Sequence, residues 1–169
     1  MYVGIETAAI ANGYNVILCD ALNDPDIEYQ HLEMLESKNV DVFLLLGGGA
    51  DDLDPRPEYR KLVERIIQKT PVIFASGLTC FDTCSLLMND IPGIEALMAY
   101  LFGLGHRKFA LVGGLDSIAP THSKIQTISG ILERSGYSQE EGWIIETQRY
   151  EVEDGYQAGK KLFKRPKKD

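Results

Sequence analysis

The stretch LFGLGHRKFALVGG, residues 101–114, decides how the rest of the chain is read. Leu101, Phe102 and Leu104 close an apolar stripe that begins near Ala96, at helical spacing. Gly105 supplies the left-handed residue on which helices end, and His106, Arg107 and Lys108 bring donors and positive charge to the exposed carbonyls. Phe109 to Val112 is a short apolar run, and Gly113-Gly114 lets the backbone turn sharply after it. The stretch is therefore a helix-to-strand joint of an α/β protein.

Working outward, the same unit recurs. A first helix runs to Asn12-Gly13, with Val3, Ile5, Ala8 and Ala9 apolar, and Asn15 to Cys19 reads as a strand. Asn23-Asp24-Pro25 opens a second helix, Asp24 as cap and Pro25 as first helical residue, whose face is Ile27, His31, Leu32 and Leu35. Val40 to Leu46 is almost wholly apolar, as in a strand covered on both faces. Glu58 to Thr70 (helix), Pro71 to Ala75 (strand), Pro92 to Leu104 (helix) and Lys108 to Val112 (strand) follow. A helix over His122 to Ser135, a strand over Trp143 to Thr147 and a helix over Val152 to Phe163 complete the series. Alternation of this kind specifies parallel sheets of the doubly wound type. The chain starts on a helix without a preceding strand and finishes on a helix, so the expectation is an α/β unit cut at both ends.

Composition narrows the function. At 169 residues, 44% hydrophobic and 25% charged, the chain has the makings of a globular core. A net charge of −8 argues against gripping nucleic acid by electrostatics alone, and the basic tail KKLFKRPKKD reads as a solvated end. No apolar run approaches the ~18 residues of a membrane helix, and the N-terminus has no basic segment of a secretory signal. Cys19, Cys80 and Cys84 show no zinc spacing and read as free or buried thiols of a reducing cytosol.

Catalytic and metal motifs are missing. Leu46-Gly-Gly-Gly-Ala50 follows a strand but lacks the lysine of a phosphate loop, and Asp51 and Asp52 come next, so it reads as a flexible surface turn. Asp51, Asp52 and Asp54 lack the distal glutamate of a calcium loop and read as solvated. His106 and His122 have no nucleophile in a recognisable pattern. The expectation is no enzyme, no cofactor and no metal. What remains is a binding fold, in which small molecules sit at the carboxyl ends of the strands. The segments there are Cys19 to Asn23, Leu46 to Asp52, Ser76 to Thr79, and Gly113 to Lys124.

The stretches GIETAAIANGYNVILCDALNDPDIEYQHLEMLESKNVDVFLLL and NDIPGIEALMAYLFGLGHRKFALVGG resemble the two lobes of the effector-binding region of LacI/GalR-type transcriptional regulators. The resemblance runs over roughly residues 3–163 and is most specific at Gly13-Tyr14, Asn23-Asp24-Pro25 and Leu104 to Lys108. It implies a periplasmic-binding-protein-like fold of two incomplete lobes, residues 1–86 (without a first strand) and residues 87–169 (partial). It implies a cytoplasmic homodimer in which a sugar or related metabolite controls operator binding. DNA would be reached only through a helix-turn-helix outside this chain, with no membrane partner. The alternative is a periplasmic solute-binding protein feeding a transporter. By resemblance, Ser76 and Gly77 stand where the family grips ligand, Asn89-Asp90 where the chain crosses between lobes, and Lys124 where a ligand-gripping arginine opens a helix. Lys124 keeps that charge without the bidentate fork. Its other reading is a solvent-facing lysine.

Overall fold

The computed structural model describes residues 2–75, 80–86, 88–137 and 143–164. Within them six helices and five short strands follow one another: α1 (Tyr2–Ala11), α2 (Pro25–Ser37), β1 (Phe43–Leu45), α3 (Pro57–Ile67), β2 (Val72–Phe74), β3 (Cys84–Ser85), α4 (Ile91–Gly103), β4 (Leu111–Val112), α5 (Ala119–Arg134), β5 (Ile144–Ile145) and α6 (Val152–Phe163). The strands form two parallel sheets, β1-β2-β3 and β4-β5. Register runs Phe43 to Val72 and Leu45 to Phe74 in the first, and Leu111 to Ile144 in the second. No helix among the described residues is long and apolar enough to cross a membrane.

Local chemistry accounts for the helix ends. Asp24 Oδ1 accepts from the amides of Asp26 (2.8 Å) and Ile27 (3.3 Å), capping α2, and Pro25 is its first residue. At the end of α4 the Gly105 amide bonds to Phe102 O and the His106 amide to Leu101 O, the paired bonds of a Schellman stop. Arg107 Nη1 also donates to Phe102 O, at 2.9 Å, so the positive charge expected at this joint lies on the helix carbonyls.

The larger core packs α2 and α3 onto the first sheet. Tyr59, Leu62, Val63 and Ile66 of α3 meet Leu32, Phe43, Val72, Phe74 and Phe81, all at 6% exposure or less. Phe74 and Phe81 stack at 5.3 Å between centroids. In the second half, Ala119, Ile125 and Leu132 of α5, Met98 of α4, Trp143, Ile145 and Ala158 are the buried apolar residues among those described.

Several expectations need correction. Asn15 to Cys19 is not a strand: it is exposed at Ile17 and Leu18 and pairs with no strand among the described residues. An apolar run becomes a strand only beside a partner that completes its ladder. The strand in Val40 to Leu46 shrinks to Phe43–Leu45, with Phe43 buried and Leu44 and Leu45 half-buried, while Val42 and Leu46 beside it are each 46% exposed. The short strand β3, which completes the first sheet, has no apolar pattern and gave no sequence signal. α5 begins at Ala119, three residues before His122, because Pro120 suits a first turn.

Candidate functional site

The carboxyl ends of β1 and β4 deliver their exit loops to one place. Leu53 N donates to Ser117 O (2.9 Å) and Ala119 N to Asp51 O (2.8 Å), around an antiparallel bridge between Asp52 and Ile118. The two sheets therefore meet through backbone. Asp51 to Leu53 is not only a solvated loop, although the Asp54 side chain is fully exposed.

The glycine run before it is not a flexible surface turn either. Gly48–Ala50 is a 3₁₀ turn with Ala50 buried. Glu28 Oε2 accepts from the Gly49 amide at 2.9 Å, and Glu28 Oε1 accepts from the Tyr59 hydroxyl at 2.8 Å. A Cβ on Gly48 would lie 2.5 Å from the Glu28 carboxylate, and one on Gly49 would lie 2.8 Å from the Tyr59 ring. Burial pushes the Tyr59 hydroxyl well above the usual tyrosine range, and the Glu28 charge pushes the same way.

In the second half, polar groups gather after β4 and β5. Gly114 N donates to Thr147 Oγ1 (3.1 Å), and the Thr121 and Tyr150 hydroxyls are 3.2 Å apart directly over Gly114. Thr121 is buried, whereas the Tyr150 side chain is held at its hydroxyl and 74% exposed. Beside them His122 Nδ1 lies 2.9 Å from Asp116 Oδ1, and the Asp116 amide donates to Glu146 Oε1 at 3.0 Å. This is an array of hydroxyls, carboxylates and one presented aromatic ring, suited to holding a polar molecule. Among the described residues no group of three or more His, Cys, Asp and Glu is placed to hold a metal ion.

The residues expected from sequence fall unevenly. Ser76 and Gly77 lie outside the described residues. Lys124 is not at the start of its helix but in the second turn of α5, with Nζ 3.2 Å from Asp90 Oδ2 and both side chains roughly two-fifths exposed. Asn89 Oδ1 accepts from Ile91 N at 3.2 Å, at the entry of α4. Asn89 and Asp90 thus stand between the last strand of the first sheet and the first helix of the second half. Sequence reasoning named the segment Gly113 to Lys124, which contains Thr121 without singling it out, and missed Glu28, Thr147 and Tyr150. Gly113-Gly114 and the segment after it marked the spot, and the side chains that close over it carry no pattern of their own.

No protein-family model matches the chain. It is 27% identical over 159 residues to the HTH-type transcriptional repressor PurR of Mannheimia succiniciproducens, covering 94% of this chain and 46% of that protein. With the HTH-type transcriptional regulator DegA of Bacillus subtilis it shares 25% identity over 164 residues, or 95% of this chain and 47% of that one. A LacI family transcriptional regulator from Lactobacillus casei, solved with bound sucrose, superposes with a TM-score of 0.75 at 22% identity, over 98% of this chain and 58% of that chain. The likeness is to LacI-type regulators. The chain spans about half the length of the curated relatives it matches. The LacI-type likeness extends to architecture: the fold is periplasmic-binding-protein-like α/β, with parallel sheets in two halves.

Proposed function

We propose that these residues form the effector-binding region of a LacI-type transcriptional regulator, in which a small metabolite controls operator binding by the full-length protein. The observation that carries the reading is the meeting of the two exit loops beside Gly114, Thr121 and the exposed Tyr150 ring. In this reading residues 1–86 and 87–169 are the two lobes, Asn89-Asp90 their crossover, and Ser76, Gly77 and Lys124 further lining of the cleft. The effector is a sugar or related polar metabolite. Tyr150 offers an apolar ring face and the hydroxyls around Gly114 offer donors and acceptors, a combination that suits a polyhydroxylated ring. The cations nearby are matched within the chain, Lys124 by Asp90 and Arg149 by Asp154 at 3.3 Å, which favours an uncharged ligand over an anionic one. No catalytic step is assigned to the site. The regulator acts in the cytoplasm as a homodimer and reaches DNA through a helix-turn-helix, and the names of the two curated relatives support the helix-turn-helix. Those names also favour the regulator over a transporter's solute-binding protein.

Calorimetry of the full-length protein against a panel of mono- and disaccharides, sugar phosphates and nucleobases tests this, followed by operator binding with and without the ligand found. An uncharged sugar that binds and shifts operator affinity at least fivefold is the expected result. A protein that binds no panel member, or whose DNA affinity ignores its ligand, refutes it.

A further inference from the structure

Glu28 sits on α2, outside the array around Gly114, yet both of its oxygens are committed. One accepts from Gly49 N in the turn that follows β1, the other from the hydroxyl of Tyr59, which is 2% exposed. That turn leads straight into Asp51 to Leu53, the segment that pairs with Ser117 to Ala119. Ala119 is the first residue of α5, and the amides of a first helical turn have no acceptor inside the helix. Asp51 O supplies that acceptor from the other half of the molecule. A continuous line of contacts thus runs from the Glu28 carboxylate through the glycine turn to the N-terminus of α5, the helix that carries Thr121, His122 and Lys124.

The glycines fit the same line. Gly47 and Gly48 have φ of +99° and +74°, and neither Gly48 nor Gly49 has room for a methyl group against Glu28 and Tyr59. A turn built this tightly around one carboxylate has a single shape while the carboxylate is present. Without it, an amide and a buried hydroxyl lose their acceptor, and the glycines are free to rearrange.

We propose that Glu28 is a positioning residue for the joint between the two halves: it fixes the glycine turn so that Asp51 to Leu53 stays zipped to the start of α5. The regulatory meaning of this joint rests on the effector-cleft reading above, since a ligand between the exit loops acts on it directly. The geometric claim does not depend on that reading.

Amide hydrogen exchange on the whole chain tests the claim with no effector present. In Glu28→Ala the amides of Leu53 and Ala119 should exchange at least tenfold faster than in the parent. The amides of Phe43 and Ala75, which bond to Pro71 O and Leu45 O around the β1–β2 ladder, should stay within threefold. Glu28→Gln should accelerate these amides less than Glu28→Ala does, because the carboxamide oxygen still accepts from Gly49 although the Tyr59 hydroxyl, now accepting from the NH₂, loses its own acceptor. If Glu28→Ala does not fold, Glu28→Asp, one methylene short of Gly49, takes its place with the same expectation. Unchanged exchange at Leu53 and Ala119 overturns the proposal. So does equal acceleration at Phe43 and Ala75, which would mean plain loss of stability, and so does a Glu28→Gln variant as labile as Glu28→Ala. The calorimetric panel bears on the regulator reading alone, so the two failures are told apart.

Discussion

Gly114 and Gly136 have almost the same backbone, φ +69° and +75°, in opposite surroundings. Around Gly136, past the end of α5, nothing lies within 4 Å of an added Cβ. At Gly114 the new atom would collide with Thr121 Oγ1 and stand 2.9 Å from the Tyr150 hydroxyl. Alanine in left-handed backbone costs roughly 1–2 kcal/mol, offset by about 0.4–1 kcal/mol from the stiffer unfolded chain. Gly136→Ala should therefore cost about 1 kcal/mol. Gly114→Ala carries that cost and two more. Tyr150 is exposed and swings away, losing its bond to Thr121, worth about 0.5–1.5 kcal/mol. Thr121 is 7% exposed on α5 and has nowhere to go, which adds roughly 1–3 kcal/mol of overpacking. The total is about 3–5 kcal/mol. Urea denaturation followed by circular dichroism reads both variants, and with a slope of about 1–3 kcal/mol per molar the midpoints separate by about 0.7–4 M. Thr121→Ala in the Gly114→Ala background should restore at least about 1 kcal/mol, since it removes the colliding oxygen and Cγ2 together. Equal costs for the two glycines would refute the placement of Thr121 and Tyr150 over Gly114.

Phe74→Ala should destabilise by about 3–5 kcal/mol in the same assay, because the ring is fully buried and stacked on Phe81; a loss under about 1.5 kcal/mol would contradict that packing. Tyr59 has its folded-state pKa raised by burial, so its contribution is fully present below pH 10 and is lost as the pH rises above 10 toward the raised folded-state value, by about 1.4 kcal/mol per pH unit. Tyr59→Phe should lose that increment of alkaline sensitivity, and denaturation midpoints between pH 9 and 11 that run parallel to the parent's would count against the burial. Lys124→Met and Asp90→Asn should each change stability by less than about 1 kcal/mol, as for other half-exposed ion pairs, and a larger loss by thermal melting would show a more enclosed bond.

The parts of the fold legible in the sequence are those written in neighbouring residues. Asp24 and Pro25 cap α2 as their types require, and Gly105 with Arg107 ends α4 as the opening stretch implied. Leu62, Val63 and Ile66 face the core at helical spacing. Contacts between distant residues left no such trace. Glu28 and Gly49 are 21 residues apart, Thr121 and Tyr150 are 29 apart, and neither pair interrupts a periodicity or completes a motif. Asn15 to Cys19 failed for the complementary reason, since an apolar run states a preference but the neighbouring strand decides the outcome. Lys124 was legible as a charge near a strand exit, while its partner Asp90 was not, because an ion pair depends on how α4 and α5 pack.

That packing ties a bond between the halves and a pair at the crossover to one lever. Ala119, bonded to Asp51 O, and Lys124, paired with Asp90, are both on α5, five residues apart. At 1.5 Å of rise per residue they are separated by about 7.5 Å along the axis. A 10° pivot of α5 about the Ala119 end would move the backbone at Lys124 by roughly 1.3 Å. The pair spans 3.2 Å, so a displacement of that size takes it beyond contact unless the lysine side chain stretches to follow. The backbone bond at Ala119 would survive the same pivot, because it lies on the axis of rotation. The weaker, screened contact is therefore the one that yields first, and the zipped exit loops are the fulcrum. For a ligand seated over Gly114, Thr121 and Tyr150, this makes the first turn of α5 the point where a small local shift becomes a change in how the halves are joined.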